Sequence, residues 1–323
     1  MRFHRAATAL AAATVVFSGW TLAAQQATDS LRQGSGESRR SEAQADGRTF
    51  RSGVDVTGIT VAVRDADGHL VQDLTRDDFD IYEDGEKQPL TQFTRERVPI
   101  SLGVLLDISD SMFGRRIDDA RIAVDRFLFE QLDREDEFFI LAFNHRPHVL
   151  TQWTQMPAVV RDALDNIKPT GGTAVYDAVV ASMPLVAKRN KERGALLIVS
   201  DGADTASTST MKDVQAALRR SQAFVYAIAI DSPERRAINS AVNPTTLREI
   251  TNESGGRTEV VHSTVQIADA AAAIADELNH QYVMGFTPSH PPDGKFHTLR
   301  VRTKNGAYKV QARRGYVADI PKS

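Results

Sequence analysis

Residues 100–111 read ISLGVLLDISDS, and this stretch decides the fold. Its first part is a continuous apolar run, the text of a strand covered on both faces, as in a parallel sheet. It closes on an aspartate followed by small polar residues, where a strand gives way to a loop. Downstream, Ile117, Ala120, Val124, Phe127, Leu128 and Leu132 recur at helical spacing. EFFILAFN (137–144), GALLIVSD (194–201) and AFVYAIAID (223–231) are further strands, with HVLTQW and RTEVVH as shorter ones. Between them MPAVVRDALDNI, TAVYDAVVASMPLVAKRN, MKDVQAALRRSQ and TTLREITNESGG read as helices. A last helix is expected from about Gln266 to Gln281. This alternation predicts an α/β fold with a doubly wound, mostly parallel sheet and helices on both faces.

The flanks change period. VDVTGITVAVRD (54–65) alternates apolar and polar residues, with Gly58 marking a bulge or register change. Asp67-Gly68 and Asp84-Gly85 are hairpin signals, and Leu90 and Phe93 suggest one more strand. After the last helix come YVMGFTP, FHTLRVRTK and AYKVQARRGYV, with Asn305-Gly306 predicting a closing hairpin. Neither flank carries enough apolar surface to stand alone. The expectation is that residues 50–97 and 281–323 pack together as a small accessory β-sandwich beside an α/β domain at 98–280.

The first residues have the layout of an export signal. Arg2 and Arg5 precede an apolar stretch from Ala6 to Trp20, and Ala23-Ala24 offers a cleavage site, giving a signal peptide over 1–24. A retained anchor is the other reading of the same stretch. Residues 25–49 contain almost no large apolar side chains and read as a disordered linker. The mature chain is then periplasmic or extracellular, without a membrane span. The absence of cysteine excludes disulfides, thiolate zinc sites and cysteine nucleophiles, and an exported chain without disulfides fits a bacterial envelope. A net charge of −3 gives no electrostatic reason to expect nucleic acid.

Ligands of open α/β sheets bind beyond the carboxyl ends of the strands. There the sequence places oxygen side chains three times: Asp107, Ser109 and Ser111 after one strand, Asp201 after another, and Thr173 ahead of a helix. Three hydroxyls and two carboxylates suit a hard divalent cation, Mg²⁺ or Mn²⁺. With few direct carboxylates the ion keeps positive charge and attracts an acidic group from another molecule. A phosphatase built on Asp107 would want a carboxylate two positions on, where Ser109 stands. There is no GxSxG, Walker or HExxH motif, so an enzyme is not expected.

DISDS at 107–111, GGTAVYDA at 171–178 and SDGAD at 200–204 resemble, in order, the metal-ion-dependent adhesion site of von Willebrand factor type A domains. The resemblance covers about residues 98–280. It implies Ser109 and Ser111 as direct ligands, Thr173 as a direct ligand in the high-affinity state, and Asp107 and Asp201 as direct or water-mediated acceptors. It also implies a protein partner whose acidic side chain completes the shell, and coupling to movement of the last helix. LTRDDFDIYEDGEKQPL and RRGYV resemble the flanks of a bacterial, acidobacterial-type group of A-domain proteins. The bracketing cysteines of some extracellular relatives are missing, and Asp118 and Asp119 lie too far on to build a second regulatory metal. The alternative function is a structural component of a cell-envelope complex whose metal stabilises the loops. Asp177 and Asp204 read as local structural residues, His145 and His148 as surface residues, and Trp153 as loop packing.

Overall fold

Alternating β and α text leaves the chain few ways to bury its apolar strands, and the computed structural model takes the doubly wound one. It describes residues 56–202, 204–231 and 244–320; the expected signal peptide and linker lie outside these. In chain order the elements are β1 (Thr57–Arg64), β2 (Phe79–Glu83), β3 (Glu86–Gln88), β4 (Leu90–Thr94) and β5 (Ile100–Asp107). Then come α1 (Arg115–Arg126), β6 (Glu137–Phe143), β7 (Pro147–Thr154), α2 (Ala158–Asp165), α3 (Val175–Val186) and β8 (Arg193–Ser200). They continue as α4 (Met211–Ser221), β9 (Phe224–Ile230), α5 (Thr245–Ser254), β10 (Thr258–Val261) and α6 (Thr264–Asn279). The chain ends in β11 (Tyr282–Phe286), β12 (Phe296–Thr303), β13 (Lys309–Ala312) and β14 (Gly315–Val317).

The large sheet has the order β10-β9-β8-β5-β6-β7, parallel throughout except for the edge strand β7. Every residue of β5 is buried, as its continuous apolar text requires. Leu102, Val104 and Leu106 face one side with α1 and α6, and Leu105 faces the other with α3, α4 and α5. Burying each such side chain is worth roughly 1.5–3 kcal/mol. Gly103 is required by contact: a Cβ there would lie 2.4 Å from Phe139 and 2.5 Å from Leu196. Strand order reverses between β5 and β8, so their carboxyl ends form the crevice where such sheets bind ligands.

The flanking strands form two antiparallel sheets, β13-β1-β11-β4 and β14-β12-β2-β3, each mixing strands from before and after the α/β domain. Between them lies one apolar cluster that includes Ile59, Val61, Phe79, Ile81, Met284, Phe286 and Val301. The Tyr282 ring is tilted against that of Phe79 with centroids 5.1 Å apart; its hydroxyl donates to the Val71 carbonyl and accepts from the Leu74 amide. Buried Glu277 of α6 joins the two parts: it accepts from Tyr226 of β9, from Arg257, and from Arg64 of β1.

Three local expectations are corrected. Asn305-Gly306 does not close a paired hairpin. β12 pairs with β2 and β14, while β13 crosses to pair with β1 in the other sheet. Gly306 is absent from the left-handed region that a two-residue hairpin turn demands, and AYKVQARRGYV breaks at buried Arg313 into two strands. Asp67-Gly68 does make a turn, with Gly68 at φ 91°, but only the single bridge Arg64–Leu70 follows it. Gly58 sits in unbroken register opposite Gly285, and the irregularity falls at Gly285–Phe286 against β4. Asp84-Gly85 does join β2 to β3, with both residues at positive φ. The last helix runs Thr264–Asn279, shifted toward the N-terminus of the expected span because Ser263 caps it.

Candidate metal centre

β5 ends at Asp107, whose side chain is fully buried. Its Oδ1 accepts from the Ser109 amide at 2.9 Å, and its Oδ2 accepts from the Ser200 hydroxyl at 2.6 Å. The carboxylate is thereby fixed between the ends of β5 and β8. Ser200 in turn accepts from the Gly202 amide at 3.0 Å, ordering the turn that carries Asp201. The Ser109 and Ser111 hydroxyls lie 3.0 Å apart, so both point to one side of their loop. Ser109 precedes a short 3-10 turn, and the cap of α1 is Gly114; Ser111 is not a helix cap.

The third loop is tied to the first through its backbone. Thr170 donates to the Ile108 carbonyl and the Asp110 amide donates to Gly171, both at 2.8 Å. Thr173 follows, 4% exposed, its amide held by the Thr205 hydroxyl at 2.9 Å. Asp107 closes β5, and Ser109, Ser111, Thr173 and Asp201 sit on loops that meet beyond the carboxyl ends of the strands. Asp204 and Asp177 are structural: Asp204 accepts from Ser207, and Asp177 at the start of α3 accepts from the Thr208 and Ser209 amides. Trp153 packs edge-on against Phe139 and donates to the Leu185 carbonyl.

Charge makes this cluster unusual. Burial, and then the neighbouring Asp201 carboxylate, push the Asp107 carboxyl up to about 7. Asp201 is 6% exposed, and its Oδ1 is buried without a hydrogen-bond partner. A buried anionic oxygen without a donor is costly unless a cation faces it. An all-oxygen set of two carboxylates and three hydroxyls fits a hard divalent ion. Sequence reasoning passed over Arg116, which lies 3% exposed beneath the site. Its Nη1 donates to Asp201 Oδ2 at 2.8 Å, and its Nη2 is 4.0 Å from Asp231 at the end of β9. A single arginine on an amphipathic helix gives no sequence signal that it turns inward. Phe113, 45% exposed, stands two residues beyond Ser111.

Residues 102–203 match the family described as von Willebrand factor type A domain, a span that runs from β5 through β8 of the central sheet. A comparison with curated proteins gave no match. Among solved structures, the conserved hypothetical protein BatB from Bacteroides thetaiotaomicron aligns at 18% identity over 55% of this chain and 99% of its own, with a TM-score of 0.46. A von Willebrand factor type A structure from Catenulispora acidiphila aligns at 12% identity over 83% of this chain and 75% of its own, with a TM-score of 0.49. Proximal thread matrix protein 1 from the mussel byssus, described with a zinc-occupied MIDAS motif, aligns at 14% identity over 59% and 48%, with a TM-score of 0.48. Among the described residues no helix is long and apolar enough to cross a membrane.

Proposed function

We propose that the chain is an exported protein-binding module of the adhesion type, acting by recognition and not by catalysis. One Mg²⁺ or Mn²⁺ ion is held by Asp107, Ser109, Ser111, Thr173 and Asp201, and an acidic side chain of a protein partner completes its shell. The observation that carries this reading is the unpartnered, buried Asp201 Oδ1 beside a second buried carboxylate at the β5–β8 crevice. The matched family supports it, and exposed Phe113 on the same loop offers the kind of aromatic contact that anchors interfaces. Export rests on the charged, apolar and small-residue pattern of residues 1–24.

Isothermal titration of chelator-stripped protein with Mg²⁺ and Mn²⁺ tests it. One equivalent should bind, and Ser109→Ala should weaken binding at least about 100-fold, or about 2.7 kcal/mol. A folded protein that takes up neither ion would overturn the metal centre.

A second reading, a structural role in an envelope assembly, is favoured by the Arg116–Asp201 contact, which already supplies positive charge beside the carboxylate. Thr173→Ala separates the two. Adhesion predicts lost partner binding by a stable fold, and the structural role predicts lower thermal stability instead.

A further inference from the structure

The sandwich holds a second donor cluster, remote in sequence from the strand-end loops. Glu83 at the end of β2, His290 in the loop after β11 and His297 in β12 each place a ligand atom within 4.8 Å of the others. Both imidazoles are oriented in the same way. His290 Nδ1 lies 3.0 Å from the Pro291 carbonyl, which only accepts, so Nδ1 carries the proton and Nε2 is left facing Glu83 Oε1 at 3.3 Å. His297 Nδ1 lies 2.7 Å from Asp84 Oδ2, and its Nε2 faces Asp293 Oδ1 at 3.1 Å. His290 thus turns Nε2 toward the Glu83 carboxylate, while both ring nitrogens of His297 face carboxylates.

The two rings are stacked with centroids 3.6 Å apart, which brings both imidazoles beside the Glu83 carboxylate. Glu83 is 2% exposed; its Oε1 accepts from the Tyr316 hydroxyl at 2.6 Å, and its Oε2 is buried without a partner. Ring protons fixed on a carbonyl and a carboxylate are also the usual outer support of metal-bound histidines.

We propose that Glu83, His290 and His297 form a binding site for a divalent transition-metal ion of the zinc class, distinct from the oxygen-lined centre of the α/β domain. Two imidazoles and one carboxylate select such an ion over Mg²⁺. Coordination by both rings requires His290 to swing out of the stack, and it is the more exposed histidine, on a loop containing Pro288, Pro291 and Pro292.

The test is zinc titration of the stripped full chain with millimolar Mg²⁺ present, followed by X-ray absorption at the zinc edge. One equivalent should bind, with two imidazoles in the scattering shell. His290→Gln should weaken uptake by about 100-fold or more, and Asp84→Asn, which removes only the support of His297, by about 10- to 100-fold. Ser109→Ala should leave it unchanged. Failure of the folded chain to bind zinc would overturn the site, as would uptake that survives His290→Gln or a shell without imidazole. Because Ser109→Ala reads the other centre, either proposal can fail alone.

Discussion

The α/β domain and the sandwich gather their donors by different means. In the α/β domain three of the five side chains come from one loop, Asp107 to Ser111, and Asp201 and Thr173 arrive because the strand order reverses beside β5. All the donors are oxygens, as a hard ion requires. In the sandwich, Glu83 meets His290 and His297 because β2 pairs with β12 in one register, with Glu83 opposite Leu299. Topology builds the first cluster and strand register the second, so the two should respond to different perturbations.

The largest effect should come from Asp201→Ala. It removes the nearer of the two carboxylates facing Arg116, leaving Asp231 at 4.0 Å, and should cost about 3 kcal/mol in urea unfolding. It should abolish Mg²⁺ uptake while zinc binding in the sandwich persists; loss of both would mean that the two regions are one cooperative unit. Next comes pH. Between the ordinary aspartate value of 3.8 and about 7, the folded chain keeps a proton on Asp107 that the unfolded chain has released. Stability without metal should therefore fall as pH rises through that window, by up to about 1.4 kcal/mol per unit. Asp107→Asn should flatten the slope, and an unchanged slope would place its origin elsewhere.

Glu83→Ala should act on the sandwich alone. It leaves the Tyr316 hydroxyl without its acceptor and should cost about 1–3 kcal/mol, read by thermal unfolding, with Mg²⁺ affinity unaltered. The smallest effect is that of Phe113→Ala. An exposed side chain should change stability by no more than about 0.5 kcal/mol, whereas partner binding should weaken measurably. Unaltered binding would move the contact surface away from this loop.

What the sequence made legible follows the same division. The buried text of β5 and the serines after it could be read directly, because a parallel strand covered on both faces is written as one apolar run and its ligand loop follows at once. Arg116 could not be read, since whether a helical arginine turns inward is decided by Asp201, 85 positions away. His290 and His297 gave no signal for a related reason: they lie 207 and 213 positions from their partners Glu83 and Asp84. Asn305-Gly306 misled because a turn signal specifies reversal but not the sheet to which the chain returns. The alternating faces of β12 and β13 both serve the sandwich core, so the chain crosses between layers.

The pairing of β1 with β11, where Thr57 lies opposite Phe286, has a consequence for how the molecule comes into being. A ribosome releases β1 long before β11 exists, so its sheet edges stay unpaired while more than half of the chain is made. The large sheet draws all its strands from the intervening stretch, Ile100 to Val261, and can condense in the meantime. Once it has, it acts as a spacer of fixed length, and bringing β1 to β11 costs far less than closing the same loop in a random coil. The sandwich should therefore be the last part to form. A substitution that slows the α/β domain should show itself as aggregation through the waiting edges of β1.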